Sequence, residues 1–413
     1  MLSRYLGSLI KYCSPFIRYI MIFRNFVTRA SAIALMAAAV VISGQAAAAD
    51  PIKIGLVVPA TGPFAYMGRQ IEAGASLYLA QHGDTVAGRK VEIVIKDDAG
   101  VPATTKRLAQ ELVLNDKVAV LAGFGLTPQA FAAAPIATQS KTPMVVMQAA
   151  TSSVTEKSPY IVRTSMTLPQ VTIGMADWAA GNKIRKVVSL VSDFAPGVDA
   201  ETTFKEQFVA KGGQVVEALR MPMITNDFSP YLQRARDASP DAIFLFLPAG
   251  DSAAVFMKQF AERGLDKAGI KLIGPGDIVD DDVLGQMGDV ALGTITSHHY
   301  SAAHPSALNK KFVESIEKAN KGMRPSFMAV GGYDGMRVIM EGLKATNGAG
   351  GEALVNAMKG QQFESPRGPV LIDPQTRDIV QDVYIRKVER VGGKLYNVEF
   401  EVQKAVKDPG KAK

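Results

Sequence analysis

The stretch GFGLTPQAFAAAPIA, residues 123–137, contains the transition that decides the fold, because an apolar run ends at its first glycine and an alanine-rich segment follows. The preceding run, residues 118–122, is continuous and apolar, as expected for a strand covered on both faces of a sheet. Thr127 and Pro128 predict the start of a helix, since threonine is a good N-cap and proline suits the first helical position. A strand followed closely by a helix is the repeating unit of a parallel α/β sheet.

The same unit recurs along the chain. The predicted strands are Ile52 to Val58, Val91 to Asp97, Val118 to Gly123, Met144 to Met147, Val187 to Val191, Val215 to Ala218, Ala242 to Leu247 and Lys271 to Gly274. The predicted helices include Gln70 to Gln81, Thr104 to Leu114, Thr202 to Ala210 and Ser252 to Arg263. About eight units exceed what one sheet usually holds, so the sequence predicts an α/β protein with two doubly wound lobes on parallel-sheet cores.

Three changes of pattern predict where the chain passes between these lobes: near residues 163–165, near residues 297–300 and near residues 366–369. Three passages of one boundary predict a three-crossover hinge with a ligand cleft between the lobes. The predicted lobe I is residues 50–164 plus 299–365, and the predicted lobe II is residues 165–298 plus 366–413.

Residues 1–49 have the pattern of an export signal. A basic region precedes the small apolar residues 30–49, and AAAAD closes the run at Asp50. This pattern predicts a secretory signal cleaved near Ala49, and therefore export to a bacterial periplasm. The alternative is a membrane anchor, but the apolar core is about half of the ~20 residues that a spanning helix needs. Met21 is a second possible start of the chain.

The charge and the cysteine content of the mature chain limit its possible partners and its covalent modifications. The formal charge of +7 arises from 46 basic and 39 acidic residues. Removing the five basic residues of the leader leaves 41 against 39, a net charge of +2, so we expect no nucleic-acid partner. The only cysteine, Cys13, also lies in the leader, which predicts a mature protein without disulfides or a lipid-bearing thiol. We expect a freely soluble monomer.

Loops at the ends of the predicted strands are the candidate ligand site, because open α/β sheets bind ligands outside the carboxyl ends of their strands. Two of these loops, GFGLTP at residues 123–128 and QAATSS at residues 148–153, combine small residues, hydroxyl groups and a helix start. Such helix starts bind anions through backbone N–H groups. Two or three charge-assisted hydrogen bonds of about 1.5–3 kcal/mol each hold a carboxylate without an arginine. The alternative is that Thr127 and Thr151 only cap their helices.

The sequence lacks the motifs that are typical of nucleotide-binding sites and of serine hydrolases. The chain lacks GxxxxGK[ST] and a strand-linked GxGxxG, which disfavours a nucleotide ligand. It also lacks GxSxG, so hydrolysis through a serine nucleophile is not predicted. The sequence predicts a binding protein without a cofactor and without enzyme activity. An exported α/β enzyme acting on a small carboxylic acid is the alternative.

Two clusters of titratable residues have alternative interpretations. His298, His299 and His304 resemble a metal site, but no carboxylate at helical spacing completes a ligand set, so we predict a structural or hinge role. The run Asp280-Asp281-Asp282 lacks the spacing of a calcium loop and is predicted to be a solvated helix start.

Several stretches resemble, in order, the Leu/Ile/Val-type periplasmic solute-binding proteins of bacterial ABC importers. These include IKIGLVVPATGPFAYMGRQIEAGASLYL, GFGLTPQAFAAAPIATQSKTPMVVMQAATSS, SDFAPGVDAETTF and FMAVGGYDGMRVIMEGL. The likeness covers Ile52 to Phe400 and rests on the ordered set of strand-end loops. It implies a type I fold whose two lobes close on a ligand, which is then delivered to an ABC permease at the inner membrane.

The resemblance also implies which residues bind the ligand. The α-carboxylate would be held by the hydroxyl residue after the third strand and by the loop after the fourth strand. The first loop would contribute an apolar contact, and the late helix a tyrosine. The second lobe would contribute a ring from its first loop and an acidic group after its last parallel strand. The matching residues are Thr127, Ala149, Ala150, Thr151, Met67 with Tyr66 beside it, Tyr333, Phe194 and Asp277.

Two departures from the family's pattern bear on the ligand. The family's tyrosine in the second lobe falls near Pro196, which leaves Phe194 as the nearest ring. The glutamate that pairs with an amino acid's ammonium aligns with Gly276, and Asp277 is its neighbour. An ammonium buried without a carboxylate partner is strongly disfavoured. If Asp277 reaches that point, amino acids remain candidates; if it only caps the following helix, an aromatic or aliphatic acid fits better.

Overall fold

Two β-sheets organise the part of the chain that the computed structural model describes, residues 50–411. The predicted signal segment 1–49, its cleavage position, the alternative start at Met21 and the thiol of Cys13 lie outside the described residues. From Pro51 onward the chain forms one unit. None of the helices within the described range is long and apolar enough to span a membrane.

The strands within residues 50–411 alternate with helices up to β11 and then form an antiparallel group. They are β1 Ile52–Val58, β2 Thr85–Val86, β3 Arg89–Asp97, β4 Val120–Gly123, β5 Met144–Val146, β6 Ile161–Arg163, β7 Lys186–Ser192, β8 Gln214–Met221, β9 Ala242–Phe246, β10 Lys271–Pro275, β11 Ile295–His298, β12 Gln362–Ser365, β13 Gly368–Ile372, β14 Ile379–Val391 and β15 Lys394–Val406.

The helices cover both faces of the sheets. They are α1 Ala65–His82, α2 Pro102–Leu114, α3 Thr127–Ser140, α4 Leu168–Gly181, α5 Ala195–Ala210, α6 Ser229–Asp237, α7 Asp251–Glu262, α8 Leu284–Met287, α9 Ala307–Ala319, α10 Phe327–Ala345 and α11 Gly351–Met358. The four helices predicted above are all present. α5 begins seven residues earlier than predicted and includes Gly197 in its first turn, where a Cβ would clash with the carbonyl of Ser192.

The first sheet has the strand order β2-β3-β1-β4-β5-β6 within the described residues. All its strands run parallel except the short β2, which pairs antiparallel with β3. Every residue of β4, β5 and β6 is buried, as a strand covered on both faces requires. This burial explains the continuous apolar run that ends at Gly123.

The second sheet has the order β12-β13-β14-β11-β10-β9-β7-β8 in the described part of the chain, and β15 pairs with β14. Strands β7 to β11 run parallel, and the strands from β12 onward extend the sheet in antiparallel pairs. The predicted class, two lobes with doubly wound parallel cores, is therefore confirmed. We call the part carrying the first sheet lobe I and the part carrying the second sheet lobe II.

The chain passes between the two sheets after β6, after β11 and between α11 and β12. The last of these passages differs from the prediction, which assigned residues up to 365 to lobe I. β12, Gln362–Ser365, pairs antiparallel with β13 in the second sheet. Pro366 therefore marks a tight hairpin turn, since Ser365 pairs with Gly368, and the passage lies before Gln362.

α3, which begins within residues 123–137, departs from the prediction at its first residue. It begins at Thr127 itself, so Leu126 holds the N-cap position. The hydroxyl of Thr127 caps no helix and donates instead to Oγ1 of Thr151 at 3.1 Å. Thr151 precedes the 3-10 helix Ser152–Lys157, and its side chain makes no capping hydrogen bond either. Helix capping therefore does not account for either threonine.

Candidate ligand-binding site

A cavity lies where strand ends of both sheets meet. Loops that follow β1, β4 and β5 line it from lobe I, and loops that follow β7, β9 and β10 line it from lobe II. β1 lies between β3 and β4, and β7 lies between β8 and β9, so the strand order reverses at both. Such switch points are where open α/β sheets bind ligands. The lining residues are Met67, Gly125, Leu126, Thr127, Gln148, Ala149, Ala150, Leu168, Phe194, Pro196, Phe246, Pro248 and Asp277.

The cavity is nearly closed. Its free volume is about 20 Å³, which is room for about one water molecule. A benzene-sized guest occupies a cavity of roughly 150 Å³ in other proteins. A small organic ligand therefore requires the lobes to separate, or the lining side chains to move, before it can enter.

Thr127 lines the lobe I end of the cavity, and Thr151, which is not itself a lining residue, contacts it with the two hydroxyl oxygens 3.1 Å apart. Both side chains are buried, and the N–H of Thr151 lies 3.4 Å from Oγ1 of Thr127. The two predicted loops are thus brought together at one point. The first turn of α3 adds N–H groups that have no intrahelical partner. This arrangement suits a small anion.

The two alanines of the second loop differ in what they can offer. Ala149 and Ala150 both line the cavity. The N–H of Ala149 donates to the carbonyl of Phe124 at 3.0 Å, so this amide is already used within the protein. The carbonyl of Ala150 accepts from the N–H of Leu168 at 2.9 Å. Ala149 is therefore placed to shape the cavity rather than to donate to an anion.

Arg163 holds the loop of residues 149–152 through hydrogen bonds. It was not identified as a site residue from the sequence. Its guanidinium is fully buried and donates to the carbonyls of Ala149, Thr151 and Ser152 at 3.3, 2.8 and 3.0 Å. Its Nε lies 2.8 Å from a carboxylate oxygen of Asp378, which neutralises the buried charge. By holding the carbonyl oxygens, Arg163 fixes the orientation of the peptide groups in the loop.

Apolar side chains from both lobes form the walls. The rings of Phe194 and Phe246 are stacked, with centroids 6.0 Å apart and an interplanar angle of 21°. Met67 and Leu168 are buried and line the cavity with them. Flat rings and a thioether favour an apolar or aromatic body between the polar ends.

Tyr66 occupies a different position from the one predicted. It does not line the cavity; its hydroxyl donates to the carbonyl of Ala249 in the loop after β9. This hydrogen bond links α1 of lobe I with lobe II. Burial, followed by the nearby charge of Asp280, raises the pKa of Tyr66 well above its usual range. Tyr66 therefore acts as a neutral link across the cleft.

Asp277 lines the lobe II end of the cavity and is almost fully buried. It lies inside the 3-10 helix Gly276–Val279, whose N-cap position belongs to Pro275, so the alternative that Asp277 caps a helix is wrong. Nε2 of His298 is 3.5 Å from its Oδ2. Burial lowers the pKa of His298 to about 4, although the neighbouring Asp277 acts in the opposite direction. His298 is therefore neutral at pH 7.

Gly276, the residue before Asp277, leaves no room for a side chain. A Cβ at this position would clash with Nη2 of Arg386 and with the ring of His298. Arg386 is fully buried, and its guanidinium donates to Oγ1 of Thr296 and to the carbonyl of Tyr300. A buried cation therefore stands where the family's glutamate would project.

Tyr333 is not brought to the cavity, contrary to the prediction. Its hydroxyl donates to Oε1 of Gln81 at 2.9 Å, and its ring packs against Tyr78 and Phe312. Burial raises its pKa to about 12. We therefore do not retain Tyr333 in the site.

The acidic run 280–282 and the three histidines are mostly buried. Asp280 and Asp281 are buried, so the prediction of a solvated helix start is wrong. His298 and His299 are fully buried at the end of β11, and His304 pairs with Glu399 at 2.7 Å. Within residues 50–411, no group of three or more histidine, cysteine or acidic side chains is arranged to hold a metal ion.

Gln148 is a second residue that the sequence reasoning missed. It lines the cavity beside Ala149, and its side chain is buried. The sequence feature that could have identified it is its position in QAATSS, between a buried strand and two small residues.

The chain is similar to known proteins in sequence and in fold. A family model described as periplasmic binding protein matches residues 51–394. The Leu/Ile/Val-binding protein homolog 6 of Brucella melitensis is 46% identical, over 92% of this chain and 98% of its own length.

Two solved structures are also similar. An ABC transporter solute-binding protein of Rhodopseudomonas palustris BisB5, in complex with 3,4-dihydroxybenzoic acid, is 61% identical with a TM-score of 0.85, over 87% of this chain and 99% of its own. A solute-binding protein of an R. palustris ABC transporter, in complex with 4-hydroxybenzoate, is 44% identical with a TM-score of 0.85, over 88% of this chain and 99% of its own.

Proposed function

The chain belongs to the periplasmic binding protein family and is a solute-binding protein of an ABC transporter, and we propose that its ligand is a small aromatic carboxylate of the benzoate class. The ligand's carboxylate would bind between Thr127, Ala150 and Thr151, with Ala149 shaping the loop. Its ring would lie against Met67, Phe194 and Phe246.

The observation that carries this proposal is the filled space at Gly276. An α-amino acid needs a carboxylate partner for its ammonium, and the resemblance puts that partner at position 276. Here Arg386 and His298 exclude a side chain, and the guanidinium of Arg386 repels an ammonium at that point. An acid without an α-amine avoids this repulsion. The stacked pair Phe194 and Phe246 favours an aromatic ring over a short aliphatic chain.

The two similar structures described above were solved with dihydroxybenzoate and hydroxybenzoate. Their ligands support the aromatic class for this chain. The name of the Brucella relative favours branched-chain amino acids instead, and Asp277 supplies a buried carboxylate for an ammonium. Branched-chain amino acids are therefore the second candidate ligands.

The proposed mechanism is capture by closure. Ligand binds between separated lobes and stabilises the closed form, which shifts the population toward that form. The closed protein then delivers the ligand to its permease without converting it chemically. We propose that this occurs in the periplasm after removal of residues 1–49, and that the protein acts as a monomer.

A ligand panel tests the proposal. Thermal shift followed by isothermal titration calorimetry would compare benzoate, 4-hydroxybenzoate and 3,4-dihydroxybenzoate with leucine, isoleucine and valine. We expect stabilisation and binding only with the aromatic acids. Binding of leucine but not of any benzoate would overturn the aromatic assignment. Chromatography of the recovered ligand would show whether it is unchanged, and chemical conversion would contradict a purely binding role.

A further inference from the structure

We propose that Asp277 accepts a hydrogen bond from a ring hydroxyl of the ligand, so that the site selects hydroxylated benzoates over benzoate itself. This inference rests on the proposed function, because it assumes that an aromatic carboxylate occupies the cavity.

The first observation is an unsatisfied acceptor on a residue that lines the cavity. Asp277 is 4% exposed, and among residues 50–411 its Oδ2 has no hydrogen-bond partner. Buried polar groups in proteins are almost always paired, and leaving one unpaired is unfavourable. Because Asp277 lines the cavity, the missing donor is expected to come from the ligand.

The second observation is that the surrounding protein donors are unsuitable or already used. Nε2 of His298 lies 3.5 Å from Oδ2, and neither nitrogen of this ring has a hydrogen-bond partner among the described residues. That distance is too long for a well-formed hydrogen bond. The guanidinium of Arg386 is directed to Thr296 and Tyr300. His298 therefore lies near Oδ2 of Asp277 without satisfying it.

The third observation concerns where the polar groups of the ligand must be. The anion-binding loops belong to lobe I, whereas Asp277 belongs to lobe II. A hydroxybenzoate carries its carboxylate and a para or meta hydroxyl on different parts of a rigid ring. An α-amino acid carries its ammonium and carboxylate on one carbon. The cavity has one polar end on each lobe, and this separation matches the two polar groups of a hydroxybenzoate.

The expected gain in affinity follows from the strength of the hydrogen bond between Asp277 and the ring hydroxyl. A hydrogen bond to a charged group corresponds to about tenfold to hundredfold in affinity. We expect native protein to bind 4-hydroxybenzoate more tightly than benzoate by about that factor. We expect 4-methoxybenzoate, which has the ring oxygen but no donor, to bind no better than benzoate.

The test is calorimetric titration of native protein and Asp277→Ala with benzoate, 4-hydroxybenzoate and 4-methoxybenzoate. Asp280→Asn is the matched control, because it removes a buried carboxylate from the same loop that does not line the cavity. We expect Asp277→Ala to abolish the preference for 4-hydroxybenzoate, measured as the ratio of its affinity to that of benzoate in the same protein. We expect Asp280→Asn to retain the preference.

Three outcomes would overturn the inference. Native protein could bind benzoate and 4-hydroxybenzoate equally, Asp277→Ala could keep the preference, or 4-methoxybenzoate could bind as tightly as 4-hydroxybenzoate. The last comparison uses native protein alone, so it decides the question even if the variant fails to fold. Each of these results leaves the proposed function standing. Absence of binding by every aromatic acid would instead remove the proposed function, and the inference with it.

Discussion

At the residue scale, we propose that Thr127 and Thr151 hold the ligand's carboxylate, and each hydroxyl can be removed with little change of shape. We expect Thr127→Val and Thr151→Val each to weaken binding of 4-hydroxybenzoate about tenfold, or about 1.4 kcal/mol, for one lost hydrogen bond to a charged group. Thr172→Val is the matched control, since Thr172 is fully buried and does not line the cavity. Unchanged affinity in both site variants, measured by calorimetry, would show that the carboxylate binds elsewhere.

Buried histidines predict a pH-dependent term in stability. Burial lowers the pKa of His298 to about 4 and that of His299 well below its usual range. The unfolded chain takes up protons on both rings below about pH 6.5, whereas the folded chain does not protonate His298 until about pH 4 and keeps His299 neutral well below its usual range. Their contribution to the free energy of unfolding is therefore full above pH 6.5 and is lost as the pH falls toward 4. For His298 the loss between pH 7.5 and 5 is about 2 kcal/mol.

The measurement is urea unfolding of native protein and His299→Leu at several values between pH 7.5 and 5. The difference between the two proteins is the informative quantity, because burial raises the pKa of Asp280 and gives a term of opposite sign. We expect the stability of native protein relative to the variant to fall as the pH is lowered. A difference that does not change with pH would contradict the buried neutral state of His299.

Residue-level prediction succeeded where local sequence determines position and failed where tertiary packing does. Thr127 and Phe194 line the cavity, and Thr151 contacts Thr127, because each lies in a short segment that follows a strand. Tyr333 and Asp280 were misassigned because their burial depends on packing between distant segments, which local sequence does not reveal.

At the scale of elements, six of the nine residues predicted for the site line the cavity, because parallel strands present all their carboxyl ends at one edge. What it did not predict was the support behind the loops. Arg163 ends the apolar strand β6 and has no local feature that distinguishes it from a surface arginine. Its three carbonyl partners lie 11 to 14 residues earlier in the chain, in a loop whose shape depends on the fold.

Arg163→Lys tests this supporting role. A lysine keeps the charge but cannot hold three carbonyls and Asp378 at once, so the 149–152 loop loses its fixed orientation. We expect about tenfold weaker binding of 4-hydroxybenzoate, with a lower melting temperature. The measurement is calorimetry together with thermal unfolding.

The matched control is Arg377→Lys. Arg377 donates to the carbonyls of Ile161 and Thr155, away from the cavity lining. This variant should lower the melting temperature without changing affinity. Equal loss of affinity in both variants would mean that Arg163 acts only through general stability.

At the scale of the whole unit, alternation of strands and helices predicted two lobes and three passages between them, and the family match confirms the resemblance read from the loops. The third boundary was misplaced because a proline pair suggests a linker and a hairpin turn equally well. The closed state could not be foreseen, since it depends on contacts between lobes.

Tyr66 provides one such contact, and its removal should favour opening. Loss of its hydrogen bond to Ala249 is expected to destabilise the closed form by about 1 kcal/mol, which shifts the equilibrium about fivefold toward the open form. We expect Tyr66→Phe without ligand to show a larger radius of gyration by small-angle X-ray scattering, and saturating 4-hydroxybenzoate to restore the native value. An unchanged radius in the ligand-free variant would argue that this bond does not hold the lobes together.

We propose above that two loops of lobe I bind the carboxylate of an aromatic acid. The most direct test of this proposal is calorimetric titration of the native protein with 4-hydroxybenzoate and with the neutral, nearly isosteric 4-hydroxybenzamide. Because charge-assisted hydrogen bonds would be lost, the account predicts that the amide binds about a hundredfold more weakly than the acid, or not at all. Equal affinity for acid and amide would contradict it.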